Sequence, residues 1–285
     1  MKLLVTGGAG YLGSEVCRQA VERGFEVLAG RHRLPPPYGR PVRLEIRDEH
    51  ATARVLMRHG PEAVVHTAYR QEAEELADTV VRGSRSVALA AARSGARLVQ
   101  LSTDLVFDGE HGAPYDEAAE PRPVSAYGAA KLEAERLVAR AHPEALLVRT
   151  SLLYGKARPA GEAEPTGEAG PGPQERLALA PVSFYTDEIR CPTLVAELAA
   201  ALLELVALDA VGPLHVAAPE PVSRYELARL LRAARGLDPD TVHGAPSPGG
   251  DRPRNVALDS SRAAGMLAQP LHGVSEALER PGRPG

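Results

Sequence analysis

The stretch TGGAGYLG, residues 6 to 13, constrains this chain more than any other. It follows the short apolar run KLLVT and opens a segment, Tyr11 to Arg23, in which apolar residues recur at helical spacing. Gly8, Gly10 and Gly13 spell GxGxxG, while Gly7, Gly10 and Gly13 spell GxxGxxG. In either register the glycines let the backbone turn sharply and approach a pyrophosphate, and the next helix aims its free N–H groups and positive end at it. Its place directly after a strand and at the head of a helix separates a dinucleotide cradle from a merely tight turn.

The same strand, helix, strand rhythm continues for 150 residues. FEVLAG (25 to 30) and VRLEI (42 to 46) read as strands, and Asp48 reads as the N-cap of a helix. AVVHTA (63 to 68), an Ala-rich helix over 72 to 95, RLVQLS (97 to 102), a helix carrying YGAAK, and ALLVRTS (145 to 151) follow. Strands alternating with helices predict an α/β fold, a Rossmann-type doubly wound parallel sheet covered on both faces. Ligands of such sheets bind outside the carboxyl ends of the strands. The glycine loop with Tyr11 and Leu12, then Thr67, Ala68 and Tyr69, then Ser102, and finally Thr150 fall there and are candidate cofactor contacts.

Beyond residue 155 the texture changes. Residues 156 to 181 are rich in Pro, Gly and Glu, with too few apolar residues for a core element, and read as a lid or an inert insertion. An amphipathic helix within 192 to 208, a strand at GPLHVAA and a capped helix in SRYELARLLRAARG follow. The expected layout is a nucleotide-binding domain over 1–155 and a smaller substrate-binding portion over 156–285, with segments such as 192–208 packing back on the first domain.

Cofactor choice is written at the end of the second strand. An NAD site places a carboxylate there for the ribose 2′-hydroxyl. This chain has GRHR, with Arg31 at the acid's position and Arg33 two residues on. Two guanidiniums can fork onto a 2′-phosphate, which favours NADPH/NADP over NAD. Glu45 and Ile46, at the end of the third strand, are placed to meet the adenine edge.

Of thirty-three basic side chains only Lys2, Lys131 and Lys156 are lysines. Lys131 stands one helical turn after Tyr127, and its use suggests a task a guanidinium performs badly. A tyrosine handing its proton to an oxygen that gains charge as hydride arrives is a reluctant donor near pKa 10. A neighbouring ammonium favours the phenolate and lowers that pKa, and it can also bond ribose hydroxyls. Ser102 and Thr103, at the sheet edge, supply hydroxyls for the substrate carbonyl, although Thr103 also fits a helix cap. Asp104 fits a second acid or a turn residue.

TGGAGYLG, STDLVFDG, YGAAK, RTSLLYG and RPRNVALD together resemble the extended short-chain dehydrogenase/reductases, and most closely the dTDP-4-dehydrorhamnose reductase branch. The resemblance spans nearly the whole chain. It implies a catalytic triad of Thr103, Tyr127 and Lys131. It also implies substrate contacts from Thr103, Asp104, Val106 and Phe107, and from Arg190, Arg252 and Asn255 through a diphosphate. The implied activity is NADPH-dependent reduction of a ketone, the 4-keto group of a nucleotide-linked deoxysugar. The alternatives are a sugar-nucleotide epimerase or dehydratase, and a non-catalytic NADP-binding regulatory subunit. Val80 stands where relatives often carry an asparagine, and the helix expected after RTSLLYG is missing. Dimers are common in the superfamily, so a homodimer is one expected assembly.

Charge and composition narrow the remaining classes. A net charge of −4 argues against nucleic acid as a partner. The two cysteines, Cys17 and Cys191, have no metal-ligand spacing and suit a reducing compartment, and the histidines form no metal motif. The N-terminus reaches a glycine at residue 7 without the apolar core of a secretory leader, and no apolar run approaches the roughly 20 residues of a span. The expectation is a cytoplasmic enzyme with no membrane association.

Overall fold

The computed structural model describes residues 1–69, 76–157 and 169–280. Six strands alternate with four helices through the first half: β1 (Lys2–Thr6), α1 (Tyr11–Glu22), β2 (Glu26–Arg31), β3 (Arg40–Arg43), α2 (Glu49–His59), β4 (Ala63–His66), α3 (Gly83–Ser94), β5 (Arg97–Thr103), α4 (Ala126–Ala141) and β6 (Leu146–Thr150). They form an all-parallel sheet in the order β6, β5, β4, β1, β2, β3, extended beyond β6 by a seventh strand, Gly212–His215. The order reverses at β1, so the crevice between the ends of β1 and β4 is the ligand position of a doubly wound fold.

Alternation along each strand sorts the core onto two faces. Leu3 and Val5 of β1 point with Val65, Val99, Leu101 and Val148 toward Val16, Cys17 and Ala20 of α1, and toward Leu198, Leu202 and Leu205 of the helix Val195–Leu205. Leu4, Leu28, Val64, Leu98 and Leu147 face Leu56 of α2, Val87 and Ala91 of α3 and Val138 of α4. Each fully buried Leu or Val contributes about 1.5–3 kcal/mol, so covering both faces supplies the fold's main driving force. Helix Val195–Leu205 is tied to α1 by the Gln19 amide, which donates to the Ala196 carbonyl at 2.8 Å.

Local signals explain the element ends. The Asp48 carboxylate accepts the Ala51 N–H at 2.9 Å as the N-cap of α2, and Gly60 and Gly95 close α2 and α3 in left-handed conformation. Ser223 caps the helix Arg224–Ala233 by accepting from Glu226 N at 3.0 Å. The third strand ends at Arg43 rather than 46, because a turn with Asp48 N donating to Glu45 O follows it, so Glu45 and Ile46 lie just past the strand. The single Ala-rich helix expected over 72–95 is instead a wider π-type turn, Leu76–Arg82, running into α3. Residues 70–75 lie outside the described residues.

The Pro/Gly-rich region differs from its expectation at its far end. Residues 158–168 lie outside the described residues, but Gly172 and Pro173 start a short helix, Pro173–Ala178, packed against Arg224–Ala233. Its buried Glu175 accepts the Gly155 N–H, which supplies an anchor that apolar content alone does not reveal. With Tyr154, Phe184, Leu194, Leu227, Leu231 and Val274 it forms a second, smaller core. Among the described residues no helix is long and apolar enough to cross a membrane.

A Cβ on Gly13 would overlap the Gly7 carbonyl oxygen, so the first turn of α1 closes only on glycine. Gly13→Ala is expected to cost about 1–3 kcal/mol, read as a lowered midpoint in thermal unfolding by circular dichroism.

Candidate active site

The cradle is built where β1 stops. The Thr6 hydroxyl lies 2.5 Å from His66 Nδ1 and accepts the Ala68 N–H at 3.2 Å, while the Thr67 hydroxyl donates to the Thr6 carbonyl at 2.7 Å. These bonds fix the ends of β1 and β4 against each other. Burial holds the His66 imidazole neutral, its pKa pushed down to about 3, with the charge of Lys131 adding to the effect. Gly7 takes a positive φ of 68°, and Gly10 N donates back to Gly7 O at 2.8 Å. No side chain caps α1 and no acid stands in its first turn, so its N–H groups face the crevice uncompensated. This is the donor set a pyrophosphate fits. Tyr11 turns its hydroxyl to the Gly155 carbonyl and thereby joins the cradle to the segment after β6.

At the end of β2, among the described residues neither Arg31 nor Arg33 has an ion-pair partner. Glu45 is already paired with Arg47 at 2.8 Å, and His32 Nδ1 lies 3.1 Å from its carboxylate. The hydrogen bonds from Arg47 hold its carboxyl down at about 2. Ile46 is buried against Gly83. A separate groove of about 720 Å³ runs along the free edge of β3 and shares only Glu45 with the predicted site.

The Tyr127–Lys131 end is set by one close approach. After β5 the chain makes a 3₁₀ turn, Asp104–Val106, capped by the Thr103 hydroxyl, which accepts Leu105 N–H at 3.2 Å and donates to Asp104 at 3.1 Å. Helix α4, capped by Ser125 on Gly128 N at 3.0 Å, lies directly on that turn, because a Cβ at Gly128 would overlap the Leu105 carbonyl oxygen. Tyr127 is thereby held with its ring 6.2 Å from Tyr69. Lys131 Nζ lies 5.9 Å from the Tyr127 ring centre and 5.6 Å from that of Tyr69, and donates to the Leu101 carbonyl at 3.0 Å. Val80 and Ala134 pack behind Tyr127.

This geometry corrects the expected electrostatics. Burial is the largest influence on Tyr127 and pushes its phenol well above 10, reinforced by Tyr69 and Asp104. Burial also pulls the Lys131 ammonium down to about 8, with Glu135 opposing that shift. The net shift of the Tyr127 phenol is upward, because its desolvation outweighs the influence of the neighbouring ammonium. The phenol keeps its proton, which is the starting state of a general acid.

Four further expectations are corrected. The Ser102 hydroxyl donates to Glu135 at 2.5 Å, beneath the sheet edge, and is not available to a ligand carbonyl. Val106 and Phe107 are fully buried, Phe107 stacking on Tyr115 at 4.2 Å, so their side chains belong to the core rather than to a substrate surface. Asp104 is spent on Ser151 at 2.5 Å and on Arg190 at 3.0 Å, both within the protein. The loops carrying Arg190, Arg252 and Asn255 do converge beside that pair: Ile189 N donates to Arg254 O at 2.6 Å and Asn255 N to Gly109 O at 3.4 Å. Arg252 lies over the Tyr185 ring at 4.7 Å and pairs with buried Glu188 at 2.5 Å. Gly128, Glu188 and the buried pair Glu135–Arg149 carry the site's framework and went unnoticed in the sequence; only Glu135, one turn after Lys131, had a legible position.

A family model described as the RmlD substrate binding domain matches residues 1–281. The chain belongs to that family. It is 34% identical over 265 residues to a dTDP-4-dehydrorhamnose reductase of Mycobacterium tuberculosis (strain ATCC 25618 / H37Rv), covering 88% of this chain and 81% of that one. It is 33% identical over 280 residues to a dTDP-4-keto-6-deoxy-D-glucose reductase of Streptomyces niveus, covering 92% and 91%. Among solved structures, the dTDP-4-dehydrorhamnose reductase of Bacillus anthracis str. Ames in complex with NADP superposes with a TM-score of 0.81 at 26% identity, covering 98% of this chain and 96% of that one. The RmlD-type sheet, cradle and Tyr127–Lys131 helix described above are therefore set in a frame shared over nearly the full length.

Removing Arg190 from this frame leaves Asp104 buried and uncompensated. Arg190→Met is expected to destabilise the protein by about 3–5 kcal/mol, measured as a shift in the urea midpoint at unchanged slope.

Proposed function

We propose that this RmlD-family protein is an NADPH-dependent reductase of the 4-keto group of a dTDP-linked 6-deoxysugar. The carrying observation is the partly buried Tyr127 on a helix locked over the end of β5, with Lys131 one turn behind it and the glycine cradle two strands away. The chain is a third identical, over most of its length, to reductases of such sugars.

When bound, NADPH would supply the hydride. The remaining work falls to this chain's own residues. The glycine loop and the uncapped end of α1 hold the pyrophosphate, and Arg31 and Arg33 take the 2′-phosphate. Tyr127 gives its phenolic proton to the substrate oxygen as charge grows there, and Thr103 orients that oxygen by exchanging its internal bond to Asp104 for one to substrate. Lys131 compensates the phenolate left behind and holds ribose hydroxyls. Arg252 and Asn255 lie on the side where the nucleotide diphosphate enters. Arg190 is kept for Asp104, so its contribution is to shape that wall.

Incubation with NADPH and dTDP-4-dehydrorhamnose or dTDP-4-keto-6-deoxyglucose is expected to consume one NADPH per sugar reduced. Turnover without net loss of NADPH would indicate an epimerase, and absence of turnover with retained NADPH binding a regulatory subunit; either result contradicts the proposal. Tyr127→Phe should lower kcat by about 10²–10⁴-fold while leaving the Kd for NADPH near its wild-type value. Arg31→Glu should shift preference from NADPH toward NADH by about tenfold or more, measured as the ratio of kcat/KM for the two cofactors.

A further inference from the structure

Beneath the catalytic pair the protein buries three charges with one sign in the minority. Glu135 follows Lys131 by four residues on α4, on the same helical face. Its carboxylate takes two hydrogen bonds from Arg149 of β6, at 3.0 Å and 2.7 Å, and one from Ser102 of β5, at 2.5 Å. Glu135 is 4% exposed, Arg149 3% and Lys131 6%, so none of the three is solvated to any useful degree. The Arg149 guanidinium also lies over the Phe107 ring at 5.3 Å.

The consequence follows from the chemistry of the two cations. An arginine effectively never gives up its proton, whereas a buried lysine does so readily. Glu135 stands one helical turn from Lys131 on the same face of α4, and because its ion-pair partner Arg149 keeps its proton, any loss of that negative charge falls on Lys131. We infer that Glu135 is a positioning residue for the active site: held by Arg149 and Ser102, it keeps the Lys131 ammonium charged in a buried setting that otherwise favours the neutral amine.

Among the described residues, the other groups facing Lys131 do not supply this charge. His66 on β4 is neutral, Tyr69 after β4 and Tyr127 on α4 carry protonated phenols, and Arg149 on β6 is repulsive. On the π-type turn packed against α4, Asp78 is half exposed and paired with Arg82 at 2.7 Å. On α3, Arg85 and Arg93 point to Glu49 at the surface. Asp104 is committed to Arg190 at 3.0 Å. Burial opposed by Glu135 is also the balance that places Lys131 near 8.

With only three lysines in the chain, this charge is directly observable. Lysine labelled with ¹³C at Cε gives one resonance each for Lys2, Lys131 and Lys156, and Lys131→Arg identifies the second by its loss. In the intact protein without substrate, the Lys131 resonance is expected to titrate near about 8, and Glu135→Gln to move its midpoint down by about one unit or more. Ser102→Ala, which removes a hydrogen bond but no charge, should leave the midpoint close to wild type. If Glu135→Gln does not fold, Glu135→Leu combined with Arg149→Leu replaces the pair by apolar groups of similar bulk, a change buried pairs often tolerate. Its Lys131 midpoint should also fall, by less, because the repulsion from Arg149 is gone too. A Lys131 midpoint unchanged in either folded variant, or an equal shift in Ser102→Ala, would overturn the inference. The significance for turnover rests on the reductase reading, but the titration needs no substrate, so the two stand or fall separately.

Discussion

The site depends on how closely α4 can lie on the turn after β5. Gly128 permits that contact, since any side chain there would meet the Leu105 carbonyl, and Ser125 fixes the helix start one residue before Ala126. With the helix pinned, Tyr127 has one place to go, and Lys131 reaches the Leu101 carbonyl within the sheet rather than water. The electrostatics follow from this packing. Pressing the helix down desolvates both groups, raising the phenol and lowering the amine. The result is a proton donor that stays loaded and a cation that needs internal support.

That support comes from a layer of buried polar groups under the sheet edge. Ser102, Arg149 and His215 are cross-strand neighbours on β5, β6 and the strand Gly212–His215. Burying such groups costs free energy unless each is paired, and the pairing is what gives them fixed positions. Substrate-side order is obtained in the same way. Asp104 with Arg190 ties the turn after β5 to the second half of the chain, and Glu188 with Arg252 joins two segments within that half.

The sequence made the frame legible because its signals are local or periodic. The glycine string after β1, the cap at Asp48, the cap at Ser223 and the spacing of Tyr127 and Lys131 each act within a turn or two of chain. What stayed hidden depends on which face a side chain takes and on distant partners. Ser102 and Thr103 are adjacent hydroxyls at a strand end, yet alternation sends one to Glu135 and leaves the other to cap the turn Asp104–Val106. Val106 and Phe107 sit in a motif of the reductase branch but serve the core. The helix Pro173–Ala178 is held by a carboxylate on the Gly155 amide, which composition does not report. The expected lowering of the Tyr127 pKa weighed neighbouring positive charge and omitted the desolvation of Tyr127 and Lys131.

The central claim is that hydride passes to the sugar's keto carbon while Tyr127 protonates its oxygen. The most direct test is reduction of a dTDP-4-keto-6-deoxysugar with NADPH carrying deuterium in both C4 positions, with the product read by mass spectrometry and NMR. The account predicts a single deuterium at C4 of the product sugar and none elsewhere. A product free of deuterium, or deuterium at another carbon, would contradict it.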